Sequence, residues 1–245
     1  MIRRMVSAVL LLRDGFTGQT LTNGSATRCL LDGRLLRQPI WKRDGYLVLT
    51  DLKAGPHILE LRRNGYQVET VPLQVNDGTP IEDTVALKPG PGYRFPPETV
   101  RVTLALRRKG AAAGERIWLG MRARPQLKLA QEKTASGDSE ARLFCEGNAA
   151  LLPIPGHFLF SDGKAPELAY LRSLHDEAGE FAPPLQSSHN RGTELIPMQA
   201  YALDGSGALQ VLLREPGTLV GFADGTTFEA QLHAGEQTVE WKLGD

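Results

Sequence analysis

Asp44-Gly45-Tyr46-Leu47-Val48-Leu49-Thr50-Asp51-Leu52-Lys53-Ala54-Gly55-Pro56-His57-Ile58-Leu59-Glu60-Leu61-Arg62-Arg63-Asn64-Gly65-Tyr66 is the run that decides the fold class of this chain. Asp-Gly and Asn-Gly pairs favour tight hairpin turns, because glycine takes positive φ without steric cost. The apolar runs between these turns are too short for helices. Leu59 and Leu61 fall on one side of an alternating segment, as in a half-buried strand. Turn signals about ten residues apart, with no helical periodicity between them, indicate a β-sandwich or barrel.

The same grammar extends in both directions. Residues 2–12 read as a first strand, turned by Asp14-Gly15 and Thr17-Gly18. Residues 27–31 follow, closed by Asp32-Gly33, then 40–43, 67–75 and 81–87. Residues 1–88 are therefore expected to form one β-sandwich module. Arg3 and Arg4 followed by eight apolar or small residues, 5–12, resemble the start of a signal peptide. That run is short, has no A-x-A cleavage site, and is required as the first strand. The expectation is a retained strand and a cytoplasmic protein.

Asp14-Gly15-Phe16-Thr17-Gly18, Asp44-Gly45-Tyr46, Asp51-Leu52-Lys53-Ala54-Gly55 and Asn64-Gly65-Tyr66 occur in that order. This series resembles the transthyretin-like fold of carboxypeptidase regulatory-like domains. In that family a D-x-x-T-G motif, a G-x-[FY] hairpin, an L-x-x-G turn and a closing x-G-[FY] recur. The resemblance covers about a third of the chain, and His57 stands where the family usually has Tyr. It implies the fold and an accessory, mostly non-catalytic role; the role is the weaker implication.

Pro89-Gly90-Pro91-Gly92 and Phe95-Pro96-Pro97 mark residues 89–97 as a short stiff linker. Residues 98–245 are expected to form a second sandwich-like domain, so the fold class is all-β with two transthyretin/Ig-like sandwiches. Val100, Val102, Leu104 and Leu106 alternate as a half-buried strand; 116–123, 127–129 and 141–145 are further strands. Gly207 and Gly217 repeat the ten-residue spacing of Gly45 and Gly55, each interval holding an apolar strand. Either the second domain repeats the first, or glycine-turned hairpins recur by chance. Residues 161–197, opening with Ser161-Asp162-Gly163 and containing Pro166, Pro183, Pro184 and Pro197, read as an insertion in this domain. Within it, 167–174 is one strand or a short helix, and the rest is polar loop. The closing segment 236–243 places Val239, Trp241 and Leu243 on one face, as an edge strand would.

Lys plus Arg and Asp plus Glu both total 28, so the formal net charge is zero. A nucleic-acid partner is not expected without the basic excess that phosphate binding uses. The basic runs Arg62-Arg63 and Arg107-Arg108-Lys109 read as solvated strand ends. A hydrophobic fraction of 41% is ordinary for a globular chain, and no run is long enough for a helical span of a bilayer. Cys29 and Cys145 sit in apolar runs with no C-x-x-C partner, and are read as buried free thiols.

No phosphate-binding loop, H-E-x-x-H or EF-hand pattern is present. Gly205-Ser206-Gly207 is a hairpin turn rather than a nucleophile elbow. The densest group of ligating side chains is His175, Asp176, Glu177, His189 and Glu194, with weak metal candidates in His175, Asp176, His189 and Glu194. Their spacing matches no known ligand pattern, so no metal and no cofactor is expected. Ser188 and His189 are adjacent and cannot readily face each other in a triad. Trp41, Tyr46 and Tyr66 could stack on sugar rings, though core packing suits Tyr46 and Tyr66 better. These features point to a non-enzymatic structural or protein-interaction protein, part of a multi-subunit assembly of which a phage-tail-like particle is one instance. The alternatives are an exported carbohydrate-binding accessory module and a metal-dependent hydrolase using the insertion. The linker, the insertion and the closing strand are candidate contact surfaces; partner contact is expected at the insertion, with the closing strand next.

Overall fold

The computed structural model describes residues 5–37, 39–76, 78–107, 114–122, 126–161 and 166–242. These form two compact units divided between Pro96 and Pro97. The described residues are all-β apart from two short 3-10 turns.

The first unit contains β1 (Val6–Asp14), β2 (Thr27–Leu31), β3 (Arg34–Leu35), β4 (Ile40–Trp41), β5 (Tyr46–Thr50), β6 (Gly55–Arg63), β7 (Glu69–Val75) and β8 (Ile81–Leu87). They make two four-stranded sheets, ordered β4-β5-β1-β8 and β3-β2-β6-β7. Period-two alternation turns Ala8, Leu10 and Leu12 of β1 toward Leu59 and Leu61 of β6, and one apolar cluster joins both sheets. Each fully buried leucine contributes roughly 1.5–3 kcal/mol. The first strand starts at Val6; residues 2–4 of the expected strand lie outside the described residues. β1 is internal to its sheet, between β5 and β8, and Ala8, Leu10 and Leu12 are fully buried. β1 pairs antiparallel with β5 and parallel with β8.

The Pro/Gly stretch 89–97, expected as a linker, is tied to this unit over most of its length. Gly90 N–H donates to the Gly65 carbonyl at 2.9 Å, and Gln67 N–H to that of Lys88 at 2.9 Å. Gly90 lies so close to the Tyr66-Gln67 backbone that a Cβ there would sit 2.6 Å from Gln67 N.

The second unit contains β9 (Val100–Arg107), β10 (Arg116–Arg122), β11 (Gln126–Leu129), β12 (Glu140–Glu146), β13 (Gly156–Ser161), β14 (Glu167–His175), β15 (Ala178–Phe181), β16 (Glu194–Ala202), β17 (Ala208–Leu213), β18 (Gly217–Ala223), β19 (Thr226–Leu232) and β20 (Gly235–Lys242). A three-stranded sheet, β17-β9-β20, packs on the part of a larger sheet formed by β10, β18 and β19. Their shared core runs from Val102 and Leu104 to Leu119, Leu219 and Trp241. The wiring matches the first unit: β9 pairs antiparallel with β17 and parallel with β20, as β1 does with β5 and β8. β10 pairs antiparallel with β18, as β2 does with β6.

The inserted part differs from the expected loop. β11-β12-β15-β14-β13-β16 is a continuous series, and β11 also pairs with β16, so six strands close into a barrel. Its filled interior includes Leu127, Leu143, Phe158, Phe160, Leu171 and Phe181. The insertion therefore begins after β10, well before residue 161, and carries its own core. Residues 167–174, expected as one strand or a short helix, lie in β14; the expected polar loop also contains β15 and the first residues of β16, while residues 162–165 lie outside the described residues. Proline and polar composition pointed to loop; Pro183 and Pro184 do lie outside the strands, after β15, whereas Pro197 lies within β16 opposite Phe158. β16 belongs to both bodies. Its first half pairs with β11 and β13, and its second half with β10.

β20 is an edge strand with Trp241 buried, as the alternation implied; Leu243 lies outside the described residues. Cys29 is buried, whereas Cys145 is only half-buried. Arg108 and Lys109 also lie outside the described residues.

Candidate functional site

The polar residues singled out in the insertion land in three separate places. His175, Asp176 and Glu177 form the β14–β15 turn, with Asp176 at φ 47° and Glu177 at φ 69°. Two left-handed residues are what a two-residue hairpin loop requires. The Glu177 carboxylate accepts from Arg142 Nε at 3.1 Å and Nη2 at 2.9 Å. Glu194 is ion-paired with Arg122. His189 is fully buried, its ring stacked on Phe160 at a centroid separation of 4.3 Å. Its Nε2 lies 3.1 Å from Glu167 Oε2. Glu167, also buried, accepts from the backbone N–H groups of Gln186 at 2.6 Å and Ser187 at 2.8 Å. Among the described residues no group of three or more His, Cys, Asp or Glu is placed to hold a metal. His189 and Glu167 instead pin the 186–189 segment to the barrel core. Glu167 was missed as the histidine's partner, although it is in phase with buried Ala169 and Leu171.

A second polar hub organises the first unit. Asp14 Oδ1 accepts from Phe16 N–H at 2.7 Å and Thr17 N–H at 2.8 Å. Its Oδ2 accepts from Tyr66 Oη at 2.7 Å and Tyr93 Oη at 2.6 Å. Burial pushes this carboxyl up, but the bonds from Tyr93, Thr17, Tyr66 and Phe16 outweigh it and hold it below the ordinary aspartate value. Burial and the Asp14 charge push the Tyr66 hydroxyl up to about 12. The hub ties the D-x-x-T-G turn to the Asn64-Gly65-Tyr66 turn and to the Pro/Gly stretch. All four acceptor contacts lie within the first unit.

The aromatic trio does not form one platform. Trp41 packs on the first core, over Gly24, where a Cβ would meet the indole at 2.1 Å. Tyr66 packs on the same core and meets Tyr93 edge-on, whereas Tyr46 lines the outer face with Val9 and Leu11.

The second unit carries an apolar groove of about 400 Å³. Leu119 and Met121 of β10 and Gln199 and Tyr201 of β16 form one wall, and Val211 and Leu213 of β17 the other. Among the described residues no charged side chain lines it. It runs along the side of the sandwich where β16, in one sheet, faces β17, an edge strand of the other. Burial in this region pushes the Tyr201 hydroxyl up.

No family model matches the chain, and no curated protein matches it. Among solved structures it is similar to a point variant of BcpA, the major pilin subunit of Bacillus cereus, at 8% identity and TM-score 0.29, over 98% of this chain and 99% of that one. BcpA itself gives 9% identity and TM-score 0.26 over 98% and 99% of the two chains. The Bacillus anthracis TIE protein gives 8% identity and TM-score 0.25, over 98% of this chain and 50% of that one. TM-scores this low do not mark a shared fold. No helix among the described residues is long and apolar enough to cross a membrane.

Proposed function

We propose that this chain is a non-enzymatic structural or protein-interaction protein built of transthyretin-like sandwich modules, acting as one component of a multi-subunit assembly. A phage-tail-like particle in the cytoplasm is a concrete form of that assembly. The observation that carries this reading is the uncharged apolar groove between β16 and β17. It is an apolar concavity in a chain whose polar clusters at Asp14, Glu167 and Glu177 are satisfied internally. Such surfaces serve recognition of apolar groups. The family likeness at Asp14-Gly15-Phe16-Thr17-Gly18 and the matched strand wiring of both units support the transthyretin-like assignment. The internal position of β1, with Ala8, Leu10 and Leu12 fully buried, supports retention of residues 1–12 in the mature chain.

The test is purification of the tagged full-length chain from its native cell under mild conditions, followed by native mass measurement and N-terminal sequencing. The expected result is a complex containing other proteins in fixed stoichiometry, with an N-terminus upstream of Val6. A monomer without partners, or a mature chain beginning near Asp14, overturns the reading.

A further inference from the structure

From the mismatch between the two units we infer that the β16–β17 groove is a strand-addition site, completed by an extended apolar peptide segment of another protein. The inference deepens the interaction reading above by naming the surface and the chemistry of its occupant.

The first unit shows how this side of the sandwich is closed. Leu12 N–H donates to Gly45 C=O at 3.2 Å, and Leu106 N–H to Gly207 C=O at 3.0 Å. Lys42 N–H donates to Tyr46 C=O at 2.8 Å, and Asp204 N–H to Ala208 C=O at 2.8 Å. These two pairs of bonds align β5 with β17 residue by residue: Tyr46 with Ala208, Leu47 with Leu209 and Val48 with Gln210. In the first unit the chain leaves β3 and crosses between the sheets before residue 40. Ile40 and Trp41 are then free to pair with Val48 and Leu47 as β4. Trp41 and Leu36 pack against the core on that side.

The crossing comes later in the second unit. β16 stays on β10 as far as Ala202, which pairs with Arg116, and the crossing is made by buried Leu203. No residues remain to form a counterpart of β4. Among the described residues β17 is consequently an edge strand. Gly207 directs its carbonyl to β9 and Ala208 directs its own to the opposite side. Antiparallel alternation then turns the N–H and C=O groups of Gln210 and Leu212 to the open side as well. The place where Trp41 sits in one unit corresponds to the apolar groove in the other. An added strand would bond Gln210 and Leu212 and drop alternate side chains against Met121, Tyr201 and Val211. Large apolar residues suit this lining, because it offers no charged partner.

The probe is the acetylated, amidated peptide Thr-Val-Thr-Trp-Thr-Val-Lys, with a scramble that places its apolar residues together as control. It is titrated into the isotope-labelled full-length chain and followed by NMR. Saturable shifts of the Gln210 and Leu212 amides and of the Met121 and Val211 methyls are expected, with weaker effects from the scramble. Gln210→Pro removes an outward N–H without touching the β9 ladder, and Met121→Arg places a charge in the groove. Each should weaken binding at least about tenfold while leaving the melting temperature near the parent's. If Gln210→Pro does not fold, Met121→Arg decides alone. Absence of saturable binding, or binding unaffected by the variants that fold, overturns the inference. So does concentration-dependent dimerisation through β17 without peptide, which would assign the edge to a second copy. The titration uses the isolated chain, so its failure is separate from a failure to find native partners.

Discussion

His57 is held between two acceptors of the first unit. Its Nδ1 lies 2.6 Å from Asp32 Oδ2 and its Nε2 2.8 Å from the Lys53 carbonyl. Only the imidazolium donates at both nitrogens. The bonds to Asp32 and Lys53 push the His57 pKa up despite some burial. A histidine whose folded value is raised contributes stability that is complete below its unfolded value, near 6.5, and fades as pH rises through the folded value. An NMR titration should therefore show His57 titrating above 6.5 in the folded chain; a midpoint at or below that value refutes the pairing. Asp14 has the opposite sign. Its carboxyl titrates below the unfolded value, so its contribution is present above about pH 4 and is lost as pH falls through the folded value. Asp14→Ala leaves two hydroxyls and two backbone N–H groups without their acceptor and should cost about 3 kcal/mol at pH 7. Urea unfolding of the fragment described below, from pH 7 to pH 3, measures both the loss and the flattened acid dependence. A variant with parental stability would remove the hub from the account. His189 and His175, adjacent in the reading of the sequence, should separate in experiment. His189→Ala opens a cavity beside Phe160 and removes the imidazole contact of Glu167, at about 2–4 kcal/mol, whereas His175→Ala should change stability by less than about 0.5 kcal/mol.

At the scale of elements, the Pro/Gly stretch behaves as part of the first unit. Tyr93 reaches Asp14, and its ring meets Tyr66, Phe16 and Phe95 edge-on at centroid separations of 5.3, 6.3 and 4.7 Å. A fragment of residues 1–96 should consequently melt cooperatively and well above a fragment of residues 1–88, in far-UV circular dichroism. Equal melting temperatures would mean that the stretch contributes nothing. What was legible in the sequence follows from the range of the forces involved. The Asp44-Gly45 and Asn64-Gly65 turns, the β5 and β6 strands and the alternation of β9 are local, and local pattern announced them. The matched pairing of β1 with β5 and β9 with β17 has a local counterpart in the sequence, the ten-residue spacing of Gly45 and Gly55 and of Gly207 and Gly217. The barrel was not visible, since its closure rests on pairings such as Leu127 with Leu195, far apart in sequence. The partner of His189 was hidden for the same reason: Glu167 lies 22 residues away and meets it only once β14 and the 186–189 segment have packed.

At the scale of the whole molecule, the described residues hold separate apolar clusters in the first unit, in the β17-β9-β20 sandwich of the second unit and in the barrel inserted into it, with a smaller fourth cluster of Leu159, Ile196, Met198 and Val220. A cavity in one core should report on that body first. Phe160→Ala, at about 3–5 kcal/mol, should speed hydrogen exchange in β11–β15 more than in β1–β8. Uniform acceleration across both units would contradict separate cores. The parallel pairing of the opening and closing strands of each sandwich has a mechanical meaning. In the first unit β1 and β8 are the first and last strands, and Ala8 lies beside Ile81 while Asp14 lies beside Leu87. Tension applied along the chain thus pulls the two strands past each other, loading the bonds between them together in shear rather than peeling them one at a time. The β9–β20 pair, from Val100 beside Gly235 to Lys242 beside Arg107, repeats the geometry in the second unit. Each sandwich is wired as a clamp against stretching.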